Sequence, residues 1–392
     1  MLNAAAFVIN YIIDMGASVM LPIVIAIISI AIGIKVGKAV RSGLMIGVNI
    51  LMLLFKLTKT VNVDVWNIWH MTFTGAIAYA VTGNFAVGIL GVVIHAAISY
   101  KLGDLWAPIL SDYFELDGLT SLHDTSAYMA PFACLIDWII DRIPGLNKID
   151  LTADTLQEKV GVLAEPVVIG GILGTAIGFL AGYDAQSALP LGIKMSAVMV
   201  LMPKIVKCIM DGLMPLTERA KELMNAKFNG AEFYIGLDPA ILLGDATVVS
   251  AGLIFIPLTL LFAVILPGNT VLPFGDLATI GFFIAIAVGV HKGNLFRSLI
   301  SGSVIMIVTL LITNQTVAWT TQLAVSTGSA QAGSIVAAMD QGGCPIAYIF
   351  TSLFTRENVF GLILAAAVYA LCMVFAVLHS RKRAAELEAD EA

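Results

Sequence analysis

Charged residues are scarce in this chain of 392 residues: they make up 12% of it, while hydrophobic residues make up 59%. Soluble globular domains carry about 25% charged residues, so this composition excludes that class. The mean hydropathy of +0.95 is typical of a polytopic membrane protein. Because one span needs about 20 apolar residues, the chain has room for roughly eight to ten spans with short connections.

Cysteine and histidine are also few, with four and five residues. The cysteines show no paired spacing, so we expect small buried helix residues rather than disulfides or a metal site. No basic face is present, which excludes nucleic acid as a partner. The sequence has no His-Glu-x-x-His motif, no convincing Ser/His pair and no phosphate-cradling loop of the Walker type. We therefore predict no catalytic residue, no cofactor and no metal.

The most informative tract is Gly230–Asp276, which begins polar, turns apolar and ends in a polar turn broken by proline and glycine. Asp238 and Asp245 stand at the entrance to its apolar run. Ionisable groups at membrane depth are costly and usually mark a substrate or ion pathway. The broken flanks predict a discontinuous helix, which is how many transporters build a binding site.

The chain also repeats itself. Ile30–Val61 aligns without gaps to Ile286–Val317, and chance similarity between apolar helices is the alternative to duplication. We favour duplication because polar and glycine positions match, in the pairs Gly33/Gly289, Gly37/Gly293, Arg41/Arg297 and Ser42/Ser298. We interpret both arginines as fixing the repeat corners. Repeated halves are typical of transporters whose site lies at the interface between the halves.

We predict one all-α polytopic membrane domain, with repeat halves at residues 1–143 and 211–379, linking helices at 144–210 and a tail at 380–392. It should have about 8–11 transmembrane helices, some of them re-entrant. The basic run His379–Arg383 places the C-terminus in the cytoplasm. The candidate spans are Ala17–Ile34, Gly43–Leu57, Met71–Thr82, Ala86–Tyr100, Ala127–Ile140, Gly161–Ala181, Leu189–Ile209, Ala246–Leu266, Leu277–Val290, Leu299–Ile312, Ile335–Phe354 and Val359–Leu378, and Lys101–Asp124 is the longest polar connection in the first half.

Several long motifs carry a family resemblance, among them VNVDVWNIWHMTFTGA at residues 61–76, IGLDPAILLG at 235–244 and MDQGG at 339–343. With them the chain resembles the galactitol-type IIC permeases of the phosphoenolpyruvate:sugar phosphotransferase system, in the ascorbate–galactitol superfamily. The resemblance implies a homodimer in the bacterial inner membrane, with a scaffold domain and a mobile core domain that carries a sugar alcohol. It also implies a separate IIB partner, and IIA acting through IIB, which phosphorylates the substrate.

The chain departs from this family by an internal deletion near residue 49, where Gly43–Leu57 forms one hybrid helix in place of a longer tract. The second repeat copy keeps a polar hairpin at Ala318–Pro345 that the first copy lacks. A transport-dead shortened member of the family is therefore one alternative. An ion-coupled secondary transporter of a small polar solute is another, with the intramembrane carboxylates as ion sites.

A polyol site needs paired hydrogen-bond donors and acceptors, which carboxylates, amides and imidazoles supply, and an aromatic face. His70 and Thr74 share a helix face next to Trp69, and the resemblance places sugar contacts at both of these positions. It also implies a re-entrant tip with a substrate-binding histidine at His123 and a sugar-binding carboxylate at Asp238. Asp124, which follows His123, departs from the pattern of the galactitol-type members, which usually have glycine there. The predicted substrate-binding residues are Trp69, His70, Thr74, His123, Asp124, Asp238, Asp340 and Gln341.

Each of these residues also has an interpretation without a ligand. Tryptophans anchor helices at the membrane interface. Asp238 precedes a proline and is suited to cap a helix. His123 and Asp124 fit a solvated loop that caps the next helix, and His95 and His291 fit structural roles.

Overall fold

The computed structural model describes residues 47–152, 165–201, 233–273, 275–355 and 358–390, together with positions 204, 205, 208 and 212. The predicted span at 17–34, the Arg41 corner of the first repeat copy and most of the polar connection at 211–232 lie outside the described residues. The described part of the predicted hybrid helix is residues 47–57; residues 47–54 are helical, and the chain turns at residues 55–57.

The described chain is almost entirely helical. Its helices are α1 (Val65–Thr82), α2 (Phe85–Phe114), α3 (Asp124–Ala127), α4 (Ala130–Arg142), α5 (Pro166–Leu180), α6 (Ala185–Leu201), α7 (Ala246–Ile265), α8 (Ile280–Val290), α9 (Leu295–Ser326), α10 (Met339–Gly342), α11 (Pro345–Thr355) and α12 (Val359–Asp390). Within the described residues, α2, α7, α9 and α12 are long and apolar enough to cross a membrane. The prediction of an all-α polytopic membrane protein is confirmed.

Three helices extend beyond the C-terminal ends of their predicted spans. The helix predicted at Ala86–Tyr100 continues to Phe114, so most of the expected polar connection is helix α2. Its buried residues Leu102, Trp106 and Leu110 recur every four positions, which is a helical period, whereas the sequence analysis interpreted this stretch as a polar connection. In the same way α9 continues to Ser326, and α12 continues through the predicted tail to Asp390.

Two other predicted spans are divided. Ala127–Ile140 falls in α3 and α4, and Ile335–Phe354 falls in α10 and α11. Pro131 lies in the first turn of α4 and Pro345 begins α11, and a proline is favourable only in the first turn of a helix. Each division leaves a one-turn helix, α3 or α10, next to the site described below.

A small parallel sheet joins distant parts of the chain, in the strand order β1-β3-β2. Its strands are β1 (Thr60–Asn62), β2 (Leu119–Ser121) and β3 (Tyr234–Leu237). Asn49, at the position of the predicted deletion, closes the edge of β1: its amide donates to the carbonyl of Thr60 at 2.8 Å and its oxygen accepts from the amide of Asn62 at 3.3 Å. Backbone groups at membrane depth need such partners.

Helices α1 and α2 form a tight antiparallel pair. A Cβ atom added at Gly88 would lie 3.1 Å from the carbonyl oxygen of Gly75 and 3.0 Å from the Cβ of Tyr79. Small residues let membrane helices approach to backbone contact. The largest cluster of buried apolar side chains is built mainly from the C-terminal half of α2 and from α4, α7, α8, α9 and α12.

An ionic network fixes the corner between α8 and α9. Arg297 donates from Nη1 to Asp137 at 2.6 Å and to Asp141 at 2.8 Å. His291 contacts Asp137 through Nδ1 at 3.0 Å and Ser301 through Nε2 at 2.7 Å. The network ties α4 to the corner, in agreement with the interpretation of Arg297 as a structural residue.

Candidate functional site

Each strand of the parallel sheet is followed by a side chain that caps a helix. Asp64 follows β1 and accepts from the amide of Asn67 at 3.1 Å. Asp238 follows β3 and accepts from the amide of Ala240 at 2.8 Å. His123 follows β2 and caps α3. Because parallel strands end at the same edge of a sheet, these three side chains converge on one place.

His70 and Asp340 form a hydrogen-bonded pair at this place. The Nδ1 of His70 lies 2.8 Å from the carbonyl oxygen of Trp66, so it must carry a proton and donate. The Nε2 lies 2.8 Å from Oδ1 of Asp340, and one further proton is shared between them. The pair is therefore neutral in sum, whichever atom holds that proton. His70 is buried, whereas the side chain of Asp340 is 29% exposed and is the open member of the pair.

His123 stands against His70, with ring centroids 4.2 Å apart and planes at 63°. Its Nδ1 accepts from the amide of Thr125 at 3.4 Å. Burial lowers the pKa of His123, the nearby His70 lowers it further, and the resulting pKa is about 4. The ring is thus neutral near pH 7 with its proton on Nε2, which faces Oδ2 of Asp238 at 3.7 Å. This gives a hydrogen-bond donor and an acceptor side by side.

A second histidine–aspartate pair lies behind the first. His95 contacts Thr74 Oγ1 through Nδ1 at 2.6 Å and Asp124 Oδ1 through Nε2 at 2.8 Å. All three side chains are buried. The polar atoms of Thr74 and Asp124 are therefore directed at His95, and the network holds α1, α2 and α3 together. His95 agrees with its structural interpretation, and its contact with two predicted site residues could not be read from sequence spacing.

Asp276 orients the one-turn helix α10. Its carboxylate accepts from the backbone amides of Met339 at 3.1 Å and Asp340 at 3.3 Å. Burial raises the pKa of Asp276, and the two amide hydrogen bonds oppose that effect. Sequence reasoning missed this residue, although it ends the tract Gly230–Asp276 that the sequence analysis singled out. Its partners are backbone amides, which leave no trace in the sequence.

A cavity of about 340 Å³ lies next to this cluster. Trp69 and Gln341, the neighbours in sequence of His70 and Asp340, contribute to its wall. The rest of the lining comes mainly from α1, α9 and the segment before α10, and it is largely apolar. The His70, His123, Asp238 and Asp340 group stands beside the cavity rather than in its lining. Two of the eight predicted residues thus line the cavity, four form the cluster, and Thr74 and Asp124 lie behind it.

Among the residues that the structure describes, two sets of side chains have the composition of a metal site. In each set, His70 with His123 and Asp340, or His95 with Asp124 and Cys344, the ligand-type atoms lie within 4.8 Å of one another. The hydrogen bonds described above already account for the nitrogens of His70 and His95. The geometry therefore gives no reason to require a metal ion in either set.

Comparison with known proteins gives consistent matches. A family model described as EIIC-GAT, the sugar-specific permease component of the PTS system, matches residues 44–334. The chain is 48% identical over 423 residues to the "PTS system galactitol-specific EIIC component" of Escherichia coli strain K12, covering 92% of this chain and 94% of the relative. The protein of the same name from Escherichia coli O157:H7 matches equally. A "Putative permease IIC component" of strain K12 is 36% identical over 329 residues, covering 83% of this chain and 75% of the relative.

The alignment to the first two relatives extends over 423 residues, which is longer than this chain of 392. Both relatives therefore carry residues that stand opposite gaps in this chain. This agrees with an internal deletion. The sequence analysis placed that deletion near residue 49, which lies in the helical segment 47–54, and Asn49 closes the sheet edge there.

Proposed function

The chain belongs to the family of sugar-specific permease components of the phosphotransferase system, and from that premise we propose that it binds and translocates a sugar alcohol, with galactitol as the best-supported substrate. IIC components of this system act with IIB and IIA proteins. The phosphoryl group would come from IIB, so this chain would bind and present the hydroxyl group without carrying phosphate itself. The observation that best supports this proposal is the cluster of His70, His123, Asp238 and Asp340 beside a cavity of about 340 Å³.

The chemistry of the cluster suits a polyol. Asp238 and Asp340 each have a carboxylate oxygen that can accept from a hydroxyl group, and His123 offers an Nε2 proton. Neighbouring hydroxyl groups of an alditol need such alternating donors and acceptors. Gln341 adds an amide that both donates and accepts, and the half-exposed indole of Trp69 offers a flat face to the C–H side of the substrate.

The remaining predicted residues support this group from behind. Thr74 and Asp124 act through His95, which joins the α1–α2 pair to the tip that carries His123. Asp276 acts through the amides of α10. We propose that all of these elements belong to one core domain that moves against a scaffold within a homodimer in the inner membrane.

The orientation follows from charge. The basic run at 379–383 ends the apolar part of α12, and the positive-inside rule places it in the cytoplasm. The C-terminal part of α12 and the α8–α9 corner, which Lys292 and Glu386 connect at 3.5 Å, would then face IIB.

The test is uptake of labelled galactitol into membrane vesicles that contain this chain, with purified IIA and IIB, with and without phosphoenolpyruvate. We expect galactitol phosphate to accumulate only when phosphoenolpyruvate is present. Uptake that persists without it and collapses with a protonophore would instead indicate ion coupling, which family membership does not favour.

A binding assay run in parallel separates the remaining alternative. Galactitol binding to the purified chain can be followed by the fluorescence of Trp66 and Trp69, which are both exposed. Binding without any uptake, beside an active relative that lacks the deletion, would identify a shortened protein that retains its site but not transport. Absence of both would overturn the proposed function.

A further inference from the structure

Within the part of the chain that the structure describes, the carboxylates around the site are not matched by lysine or arginine. Asp340 and Asp124 each contact a histidine, His70 and His95 respectively, at 2.8 Å. Asp64, Asp238 and Asp276 form no ion pair with a lysine or arginine among the described residues. The lysine and arginine ion pairs found there involve other acids, namely Asp104, Asp112, Asp137, Asp141 and Glu386.

Helix N-termini offset this negative charge only in part. Asp64 and Asp238 each accept a backbone amide as helix caps, and Asp276 accepts two. Such amides carry a fraction of a unit charge. His123 adds none, because its Nδ1 accepts a hydrogen bond and its ring is neutral. Among the described residues, the site therefore has a surplus of negative charge.

This surplus acts strongly on a bound molecule. Charge interactions are several times stronger near a partly buried site than in bulk water, and salt screens them less there. Asp238 is the carboxylate best placed to act, because its Oδ2 lies 3.7 Å from His123 and its side chain is 26% exposed. A carboxylate or phosphate brought to this place would meet repulsion, and an ammonium group would meet attraction.

We propose that this site selects its ligands by charge: it accepts neutral alditols and amino-alditols and excludes acidic sugars, with Asp238 as the specificity-determining residue. Phosphorylation converts a neutral ligand to an anion, so the same carboxylates expel the product towards the cytoplasm. The identity of the ligand as an alditol rests on the proposed function, whereas the charge selection rests on the carboxylates themselves.

The first test uses three ligands of equal length: galactitol, 1-amino-1-deoxygalactitol and galactonate, which are neutral, cationic and anionic at one end. Binding is measured by calorimetry on the purified chain in detergent. We expect galactonate to bind at least about tenfold more weakly than galactitol, and the amino-alditol to bind at least as tightly. Galactitol 1-phosphate should follow galactonate.

Asp238→Asn should reduce the discrimination against galactonate by about tenfold, because the amide keeps the cap to Ala240 but loses the charge. Asp245→Asn is the matched control: Asp245 caps α7 in the same way, at 2.9 Å from the amide of Val248, and contacts Tyr113 rather than the cluster. The control should retain the discrimination. Equal binding of galactonate and galactitol by the unaltered chain would overturn the proposal.

A second test does not depend on the substrate. Gln341→Cys places a thiol in the cavity wall, and Cys208→Ser removes the exposed native cysteine, since Cys134, Cys344 and Cys372 are buried. The reaction rate of each methanethiosulfonate with the introduced thiol is divided by its rate with a free thiol in solution. We expect this normalised rate to be at least about tenfold higher for a cationic reagent than for an anionic one. Asp238→Asn should reduce the ratio of the two normalised rates.

Equal rates for the two reagents would overturn the charge selection. A cationic preference in a chain that binds no galactitol would overturn the proposed function and leave the charge selection standing.

Discussion

His70 and Asp340 are hydrogen-bonded through Nε2 and Oδ1 at 2.8 Å although 270 residues separate them in the chain. One lies on α1 in the first predicted repeat half and the other on α10 in the second. The contact therefore joins the two predicted halves at the site. Because the Nδ1 of His70 is committed to the carbonyl of Trp66, neither partner can change its protonation without affecting the other.

The pair should show energetic coupling. His70→Ala and Asp340→Ala should each destabilise the protein, and the double variant should cost less than the sum, with a coupling of about 1–3 kcal/mol. The measurement is thermal or denaturant unfolding of all four proteins in one detergent. Asp340→Asn should cost less than Asp340→Ala, since an amide can donate to Nε2. Additive losses would contradict the pairing.

Asp276 should act on substrate binding without touching the substrate. Asp276→Ala removes the acceptor for the amides of Met339 and Asp340, so Asp340 loses its position, and we expect galactitol affinity to fall about tenfold, equivalent to about 1.4 kcal/mol. Amide hydrogen exchange at these two positions should become faster. Asp276→Asn keeps one acceptor and should be intermediate. Unchanged exchange rates would show that other contacts hold α10.

Asp238 should reduce the stability of the folded protein. Burial raises the pKa of Asp238, so the folded state binds this proton more tightly than the unfolded chain does. Ionisation at neutral pH therefore costs stability, and Asp238→Asn should raise Tm.

The gain in Tm should disappear as pH falls below the ordinary aspartate pKa of about 4, where both states are protonated. Asp184→Asn, at an exposed helix cap that accepts from Ser187 at 2.9 Å, is the control and should leave Tm nearly unchanged. A fall in Tm for Asp238→Asn at neutral pH would contradict the expected sign.

The glycine contact between α1 and α2 should tolerate no side chain. A Cβ atom at Gly75 would overlap the side chain of Val92 and the carbonyl oxygen of Gly88, and a backbone carbonyl cannot move aside without displacing its helix. Gly75→Ala should cost about 1–3 kcal/mol of unfolding free energy. Gly275→Ala is the control, because nothing lies within 4 Å of a Cβ there. Equal stability of the two variants would disprove the close approach.

Residue chemistry allowed part of the site to be predicted. Asp238 was singled out because ionisable groups beside apolar runs are rare and expensive, whereas His123 was implied by the family resemblance. Asp276 was missed because its partners are backbone amides, and the pairing of His95 with Asp124 was missed because their separation in sequence fits no short motif. Contacts made through the fold, rather than along one helix, leave no periodic pattern.

The fold was predictable in class and less so in detail. The apolar composition predicts that the chain is helical and spans a membrane. The ends of the helices are harder to predict, because an acidic residue can lie inside a helix when other side chains bind its carboxylate. Asp104 is the example: it lies inside α2, where Thr58, Thr60 and Lys101 hold its carboxylate. The three strands are too short, at three to four residues each, to give an alternating pattern.

The sheet order β1-β3-β2 has a consequence for biosynthesis. The central strand β3 is encoded more than a hundred residues after β2, so the two outer strands have no partner while the first half emerges from the ribosome. Asp64 follows β1 and His123 follows β2, so both side chains reach their final positions only when β3 (residues 234–237) pairs with these two strands. The first half alone therefore cannot assemble a finished site, and a gene split between the halves would require the two products to interleave before either could bind its ligand.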